Sequence, residues 1–266
     1  MKKKVRIAIL CTILLAVCGG LGYGAYYWYH ATKEPTVVAD LCYGKFGRSQ
    51  TESLVYVKEN DKYIPYIVID TDNYGKDAVL LVRKEAFLKD MMYRDENIYG
   101  ASGAYYNGCI VDAFLEGEFY SFFTTGMQGI IRNTPIKIQT KSFVSGRQSD
   151  EAPLETINRH VFVLSAPECG GGSLIKDESQ DEGECIPGIR DIGINAYTWL
   201  RSKEVGGDDT YVTLWYGNGV VSSHIQNGQE HYVRPVITVN RNEPIELRTF
   251  NTDTIKGTVY VFPGDE

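Results

Sequence analysis

The sequence predicts an α+β domain of irregular mixed and antiparallel sheets with one or two helices, preceded by one N-terminal transmembrane helix. Three features carry that expectation: a charge-free stretch near the N-terminus, short β-branched and aromatic runs at uneven spacing beyond it, and one segment with helical periodicity. No βαβ rhythm and no internal repeat accompanies them.

Residues Ile7 to Tyr29 form a 23-residue stretch without a charged side chain, about 34 Å if helical and so long enough to cross a bilayer. The flank Lys2-Lys3-Lys4-Val5-Arg6 is a positive-inside signal that keeps the N-terminus cytoplasmic, and Tyr26-Tyr27-Trp28-Tyr29 fits an outer interfacial belt. A cleaved signal peptide competes, but a cut after Ala25 would place Tyr23 where a small residue is needed. Lipidation at Cys18 would put Val17 where a small residue is usual. The expected organisation is a basic flank and signal anchor over 1–30, a stalk over 31–40, and an extracellular domain over 41–266. Ala16, Gly20 and Gly24 fall four apart and could let a second helix approach closely, although tolerated small residues produce the same spacing.

The chain carries 27 Lys+Arg against 34 Asp+Glu; beyond residue 30 the balance is 23 to 34, a net charge of −11. That acidity argues against a nucleic-acid binder and suits a cationic partner or plain solubility. Four cysteines lie outside the span: Cys42, Cys109, Cys169 and Cys185. Cys169 and Cys185 bracket a glycine-rich acidic loop, so a disulfide between them is expected in an oxidising compartment. Cys42 with Cys109 follows only by elimination, and free buried thiols fit equally well.

Along the domain, Ser53–Lys58, Ile64–Asp70 and Ala78–Arg83 read as a meander, with Asp72-Asn73-Tyr74-Gly75 as a turn. Ile110, Val111, Phe114, Leu115 and Phe119 lie near helical spacing, which predicts an amphipathic helix over residues 110–123. Arg159–Ser165 reads as a strand. Tyr211–Tyr216, Gly217-Asn218-Gly219 and Val220–Ile225 form a hairpin, and Val233–Val239 and Thr258–Phe262 are further strands.

The order of these segments resembles a family of bacterial cell-surface domains known only as domain of unknown function 6273, over roughly residues 40 to 242. Four motifs carry the likeness: the strand pair Ile64–Asp70 and Ala78–Val82; the helix Tyr105–Phe119, with Glu116 where the family has Asn; Val161-Phe162-Val163-Leu164-Ser165 followed by Glu168; and Tyr197-Thr198-Trp199-Leu200-Arg201-Ser202 paired with Tyr232-Val233-Arg234-Pro235-Val236. The resemblance implies an architecture related to the C-type-lectin-like and formylglycine-generating-enzyme folds. It implies no activity, because function does not follow from fold.

The chemistry-bearing residues form no catalytic constellation. An oxidase of the formylglycine-generating type would need paired cysteines in the C-terminal half, and none follows Cys185. Asp70-Thr71-Asp72-Asn73-Tyr74-Gly75 opens like a calcium loop, but Tyr74 and Leu81 stand where oxygen ligands are required. His30, His160, His224 and His231 have no triad spacing. No cofactor or metal is expected. Arg201 and Arg234 each follow an apolar strand residue and would either line a cleft for an anionic ligand or join an internal arginine–carboxylate network. Trp199, Tyr211 and Tyr216 are the aromatic candidates for a sugar or peptide surface, with core packing as the competing role for Trp199.

The sequence therefore predicts a membrane-anchored, non-catalytic recognition or scaffold module that binds an envelope polymer, glycan or protein partner. The alternatives are an enzyme acting on a peptide or glycan through an arginine-lined cleft, and a structural subunit of a membrane assembly held by Ala16, Gly20 and Gly24.

Overall fold

The computed structural model describes residues 23–26, 28–29, 32–93, 105–140, 154–171, 183–192, 194–203, 211–217, 219–224 and 230–265. The expected span lies almost wholly outside these residues, as do Ala16 and Gly20; residues 23–26, 28, 29 and 32 are helical. Among the described residues no helix is long and apolar enough to cross a membrane.

The domain is mostly β-structure with few helices, in mixed and antiparallel sheets. Its first sheet is six-stranded. β1 (Leu54–Glu59) and β2 (Lys62–Asp70) are joined at Asn60-Asp61, both in the left-handed region at φ 46° and 62°. That is the backbone a two-residue hairpin needs, and asparagine and aspartate tolerate it. β3 (Ala78–Arg83) is buried at every position, as an apolar run covered on both faces should be. A second sheet begins with β4 (Phe87–Met92).

The predicted helix forms as α1 (Ile110–Phe114), which widens into a π turn over Leu115–Phe119 and tightens into a 3-10 turn at Tyr120–Phe122. Cys109 caps it, its sulfur accepting from the Asp112 N–H at 3.4 Å. A second short helix, α2 (Thr125–Ile130), is capped by the Thr124 hydroxyl, which accepts from the Met127 N–H at 3.1 Å. β5 (Thr134–Gln139) and β6 (Leu154–Arg159) form a separate hairpin.

The second sheet continues with β7 (Ile194–Lys203), β8 (Tyr211–Gly217), β9 (Gly219–His224) and β10 (Glu230–Val233), in the order β4-β10-β7-β8-β9 with β10 parallel to β7. β11 (Val236–Asn240), β12 (Glu246–Asn251) and β13 (Lys256–Val261) return to the first sheet, whose order is β11-β3-β2-β1-β13-β12 with β1 parallel to β13. One continuous core runs beneath both sheets.

Three expectations need correction. The strand predicted over Val233–Val239 is two strands in two sheets, because Pro235 has no N–H to donate and the chain crosses over at Arg234-Pro235. Of the strand predicted over Arg159–Ser165, only Arg159 belongs to β6; the rest is an irregular segment touching β11 through a Phe162–Val236 bridge. The stalk ends earlier than residue 40: Val37 bridges Pro244, and Val38, Ala39 and Leu41 are buried in the core.

Candidate functional site

A cleft of about 470 Å³ opens where three segments distant in sequence meet. The β2–β3 turn supplies Asp72, Asn73 and Tyr74, the β5–β6 hairpin supplies Pro135, Lys137 and Thr156, and the segment after Gly183 supplies Glu184. Alternation along β5 turns Ile136 and Ile138 into the core and leaves Pro135 and Lys137 outward, with Thr156 directly opposite Lys137. Asn73 Nδ2 donates to the Glu184 carbonyl at 2.8 Å and so ties two walls together. Gly183, at φ +148°, comes so close to Glu168 that a Cβ would sit 2.6 Å from its Oε1; only glycine fits there without displacing the carboxylate.

Glu168 forms the floor and is wholly buried. Its Oε1 accepts from the Tyr74 hydroxyl at 2.5 Å and from Arg201 Nη2 at 2.9 Å. Its Oε2 accepts from the Ser165 N–H at 2.8 Å and lies 2.8 Å from Arg201 Nη1. Arg201, also buried, donates in addition to the carbonyls of Lys137 (3.1 Å) and Val163 (2.8 Å). A carboxylate with two donors on each oxygen has no position left to take a substrate proton, so this pair is a cross-link between β7, β5 and the 163–168 segment. Burial, reinforced by the Glu168 charge, raises the Tyr74 phenol well above its usual range and keeps it a donor. The described lining holds no serine, cysteine or histidine. It offers a carboxylate, an ammonium, a hydroxyl and an amide to a ligand able to make several hydrogen bonds.

The other sequence-predicted site residues are dispersed. Trp199 is buried, donates from its indole nitrogen to the Met91 carbonyl at 2.7 Å and meets the Tyr93 ring edge-on, so it is a core residue with no face for a ligand. Arg201 is likewise sealed. Tyr216 is exposed and stacks on Tyr197, with ring centroids 4.1 Å apart and planes at 14°. Tyr211 begins β8; its side chain lies outside the described residues.

Arg234 is buried at the crossover between the sheets, with its guanidinium 5.1 Å from the centroid of the Trp215 ring. Burial pulls its pKa down to about 10. Lys137 carries no local mark in the sequence as a site residue, and Asp72 and Asn73 stand in the calcium-loop-like stretch that reads as a turn; Trp215, an aromatic that could have lined a sugar or peptide surface, is buried.

No disulfide joins the four described cysteines, so the pair expected between Cys169 and Cys185 is not seen, and Cys42 and Cys109 are the free buried thiols that the sequence allowed equally. Cys42 lies near Asp70 and Arg241, while Cys109 caps α1, surroundings that share no residue; burial pushes both thiols up to about 12. Cys169 is buried and Cys185 exposed, although a 3.0 Å bond from the Ile186 N–H to the Glu168 carbonyl brings their backbones side by side.

The position where Glu116 departs from the resembled motif has a structural use. Its carboxylate accepts from the N–H groups of His160 at 2.5 Å and Val161 at 2.8 Å, strapping the helix to the irregular segment.

These features define a mixed-sheet α+β domain with a polar cleft over a sealed arginine–glutamate pair. The chain belongs to the family described as Domain of unknown function (DUF6273), whose model matches residues 77–241, more than half of the chain. The match holds Lys137, Glu168, Arg201, Trp215 and Arg234 but starts after Ile64–Asp70, so the first strand of the resembled pair falls outside it. Neither a curated protein nor a solved structure matches the chain.

Proposed function

We propose that this protein is a single-span, membrane-anchored recognition module whose extracellular domain, C-type-lectin-like in architecture, binds an envelope polymer, glycan or protein partner without transforming it. One observation carries the reading: the cleft of about 470 Å³ has walls of hydrogen-bonding side chains and a floor whose carboxylate is already saturated. Its size lies within the range of about 300–1,000 Å³ usual for small-molecule sites. Its polarity favours a ligand rich in hydroxyl or amide groups. The exposed Tyr197–Tyr216 stack adds an aromatic surface of the kind that meets sugar rings or peptide planes.

The test uses the full chain in detergent and a thermal-shift screen against soluble glycans, cell-wall fragments and peptides. Asp72 and Lys137 are exposed, so D72A and K137A should leave intrinsic stability within about 0.5 kcal/mol of wild type. A fragment that raises the melting temperature of wild type but not of these variants is the expected result. Equal stabilisation of all three proteins, or no stabilisation by any fragment, overturns the reading.

Orientation is tested through the exposed Cys185. A membrane-impermeant maleimide should label it on intact cells, with the signal lost in C185S. Labelling only after lysis would reverse the topology.

A further inference from the structure

Three buried nitrogen donors on two neighbouring side chains have no acceptor. Arg234 Nε, Arg234 Nη1 and Trp215 Nε1 are enclosed and make no hydrogen bond, while Trp215 is 1% and Arg234 5% exposed. The fold explains why they meet. β10 runs parallel to β7 with Tyr232 beside Thr198, and Thr198 pairs with Trp215 on β8, so the chain leaving β10 carries Arg234 over the indole. Pro235 then turns it into β11.

The surrounding charges do not satisfy the guanidinium. Arg83, which also bears on it, is itself engaged by Glu59 at 3.1 Å, and Arg201, which shares the electrostatic neighbourhood of Cys169 with Arg234, is engaged by Glu168. Glu85, the carboxylate that attracts Arg234, is exposed and makes no hydrogen bond to it. Cys169 is a neighbour whose thiol is held neutral by burial. The region thus contains two arginines matched to carboxylates and a third with an excess positive charge. Buried charges and buried N–H groups are normally paired, and a planar guanidinium stacked on a ring whose own N–H is also unpartnered offers donors of the kind an oxyanion takes.

We propose that Arg234 and Trp215 form an oxyanion subsite, which takes a carboxylate, sulfate or phosphate group of an acidic ligand. The cleft above Glu168 shares neither residue, so this site stands or falls independently of ligand binding there. The indole takes one oxygen and the guanidinium another, with the Trp215 ring retaining the cation above it.

The indole N–H provides a direct readout. The full chain, labelled with ¹⁵N in detergent, is titrated with sodium acetate, sulfate and phosphate against chloride at matched ionic strength, up to tens of millimolar. The Trp215 indole resonance, assigned by its loss in W215F, should shift with saturation in at least one oxyanion and not in chloride. The Trp199 indole, already bound to the Met91 carbonyl, should stay still. A response to acetate identifies a carboxylate ligand; a response to sulfate or phosphate identifies an ester. R234K keeps the charge but loses the fork, and should weaken the oxyanion about tenfold, the order of one hydrogen bond to a charged group. W215F, followed by thermal shift, keeps the ring and should lose a similar factor. A Trp215 signal that does not move, one that moves equally with chloride, or oxyanion affinity unchanged in R234K overturns the assignment.

Discussion

Arg201 and Arg234 have the same sequence context, each one step beyond an apolar strand residue, yet the fold gives them opposite surroundings. Arg201 lies within β7, where the irregular segment before Glu168 and the backbone of β5 converge on it and supply carboxylate and carbonyl oxygens. Arg234 lies between β10 and β11, at a point where the chain leaves one sheet for the other, and around it are an indole, a neutral thiol, another cation and the exposed Glu85 carboxylate, none of which accepts a bond from its Nε or Nη1. The difference teaches that burial of an arginine is not itself a sign of function. A sealed guanidinium holds strands together; one enclosed with donors unspent leaves hydrogen bonds that the chain itself does not fill.

The comparison breaks most visibly at the sealed pair. R201M leaves Glu168 buried with two of its four donors gone, and breaking a buried ion pair by removing one partner typically costs about 3–5 kcal/mol. Denaturant unfolding should show a loss of that order. R201M combined with E168L removes both charges and should cost distinctly less than the sum of the single changes, because the two residues act as one unit. An R201M protein as stable as wild type would mean that Glu168 finds another partner and that the cross-link is not structural.

How much of this was legible in sequence depended on whether the signal was local. β3, α1 and the β8–β9 hairpin follow from apolar runs, helical spacing and turn residues, which are properties of neighbours along the chain. The break at Arg234-Pro235 was marked by the proline but masked by flanking valines that continue the β-branched pattern. β5 carries a readable alternation around Ile136 and Ile138, and reading it would have placed Lys137 outward. The cleft itself had no local signature, since residues 72–74, 135–137, 156 and 183–184 come together only through sheet and hairpin packing. The sequence motif around Glu168 and Arg201 was visible, but their mutual saturation depends on Ser165, Tyr74 and the Lys137 carbonyl, which no linear pattern joins.

The smallest effect is expected at the other arginine, and its pH dependence gives the sharper test. R234M removes a buried cation whose hydrogen-bonding donors are unmatched, a relief, while also losing its contact with the Trp215 ring and the packing of its stem, a cost. These terms oppose, so in chloride buffer R234M should unfold within about 1 kcal/mol of wild type, far from the R201M loss. Burial lowers the Arg234 pKa from its ordinary value to about 10, so the folded state gives up its proton before the unfolded state does. The associated stability is present above the unfolded value and is lost as pH falls through about 10, leaving the buried-charge penalty fully in place at neutrality. The stability difference between wild type and R234M should therefore stay flat from neutral pH up to about 9 and then move in favour of wild type as pH rises through about 10. Oxyanion binding should change in the opposite sense, weakening over that same rise as the guanidinium loses its charge. A difference curve that stays flat through pH 10 would mean that Arg234 keeps its proton by means of a partner already within the chain, and the contrast with Arg201 would disappear.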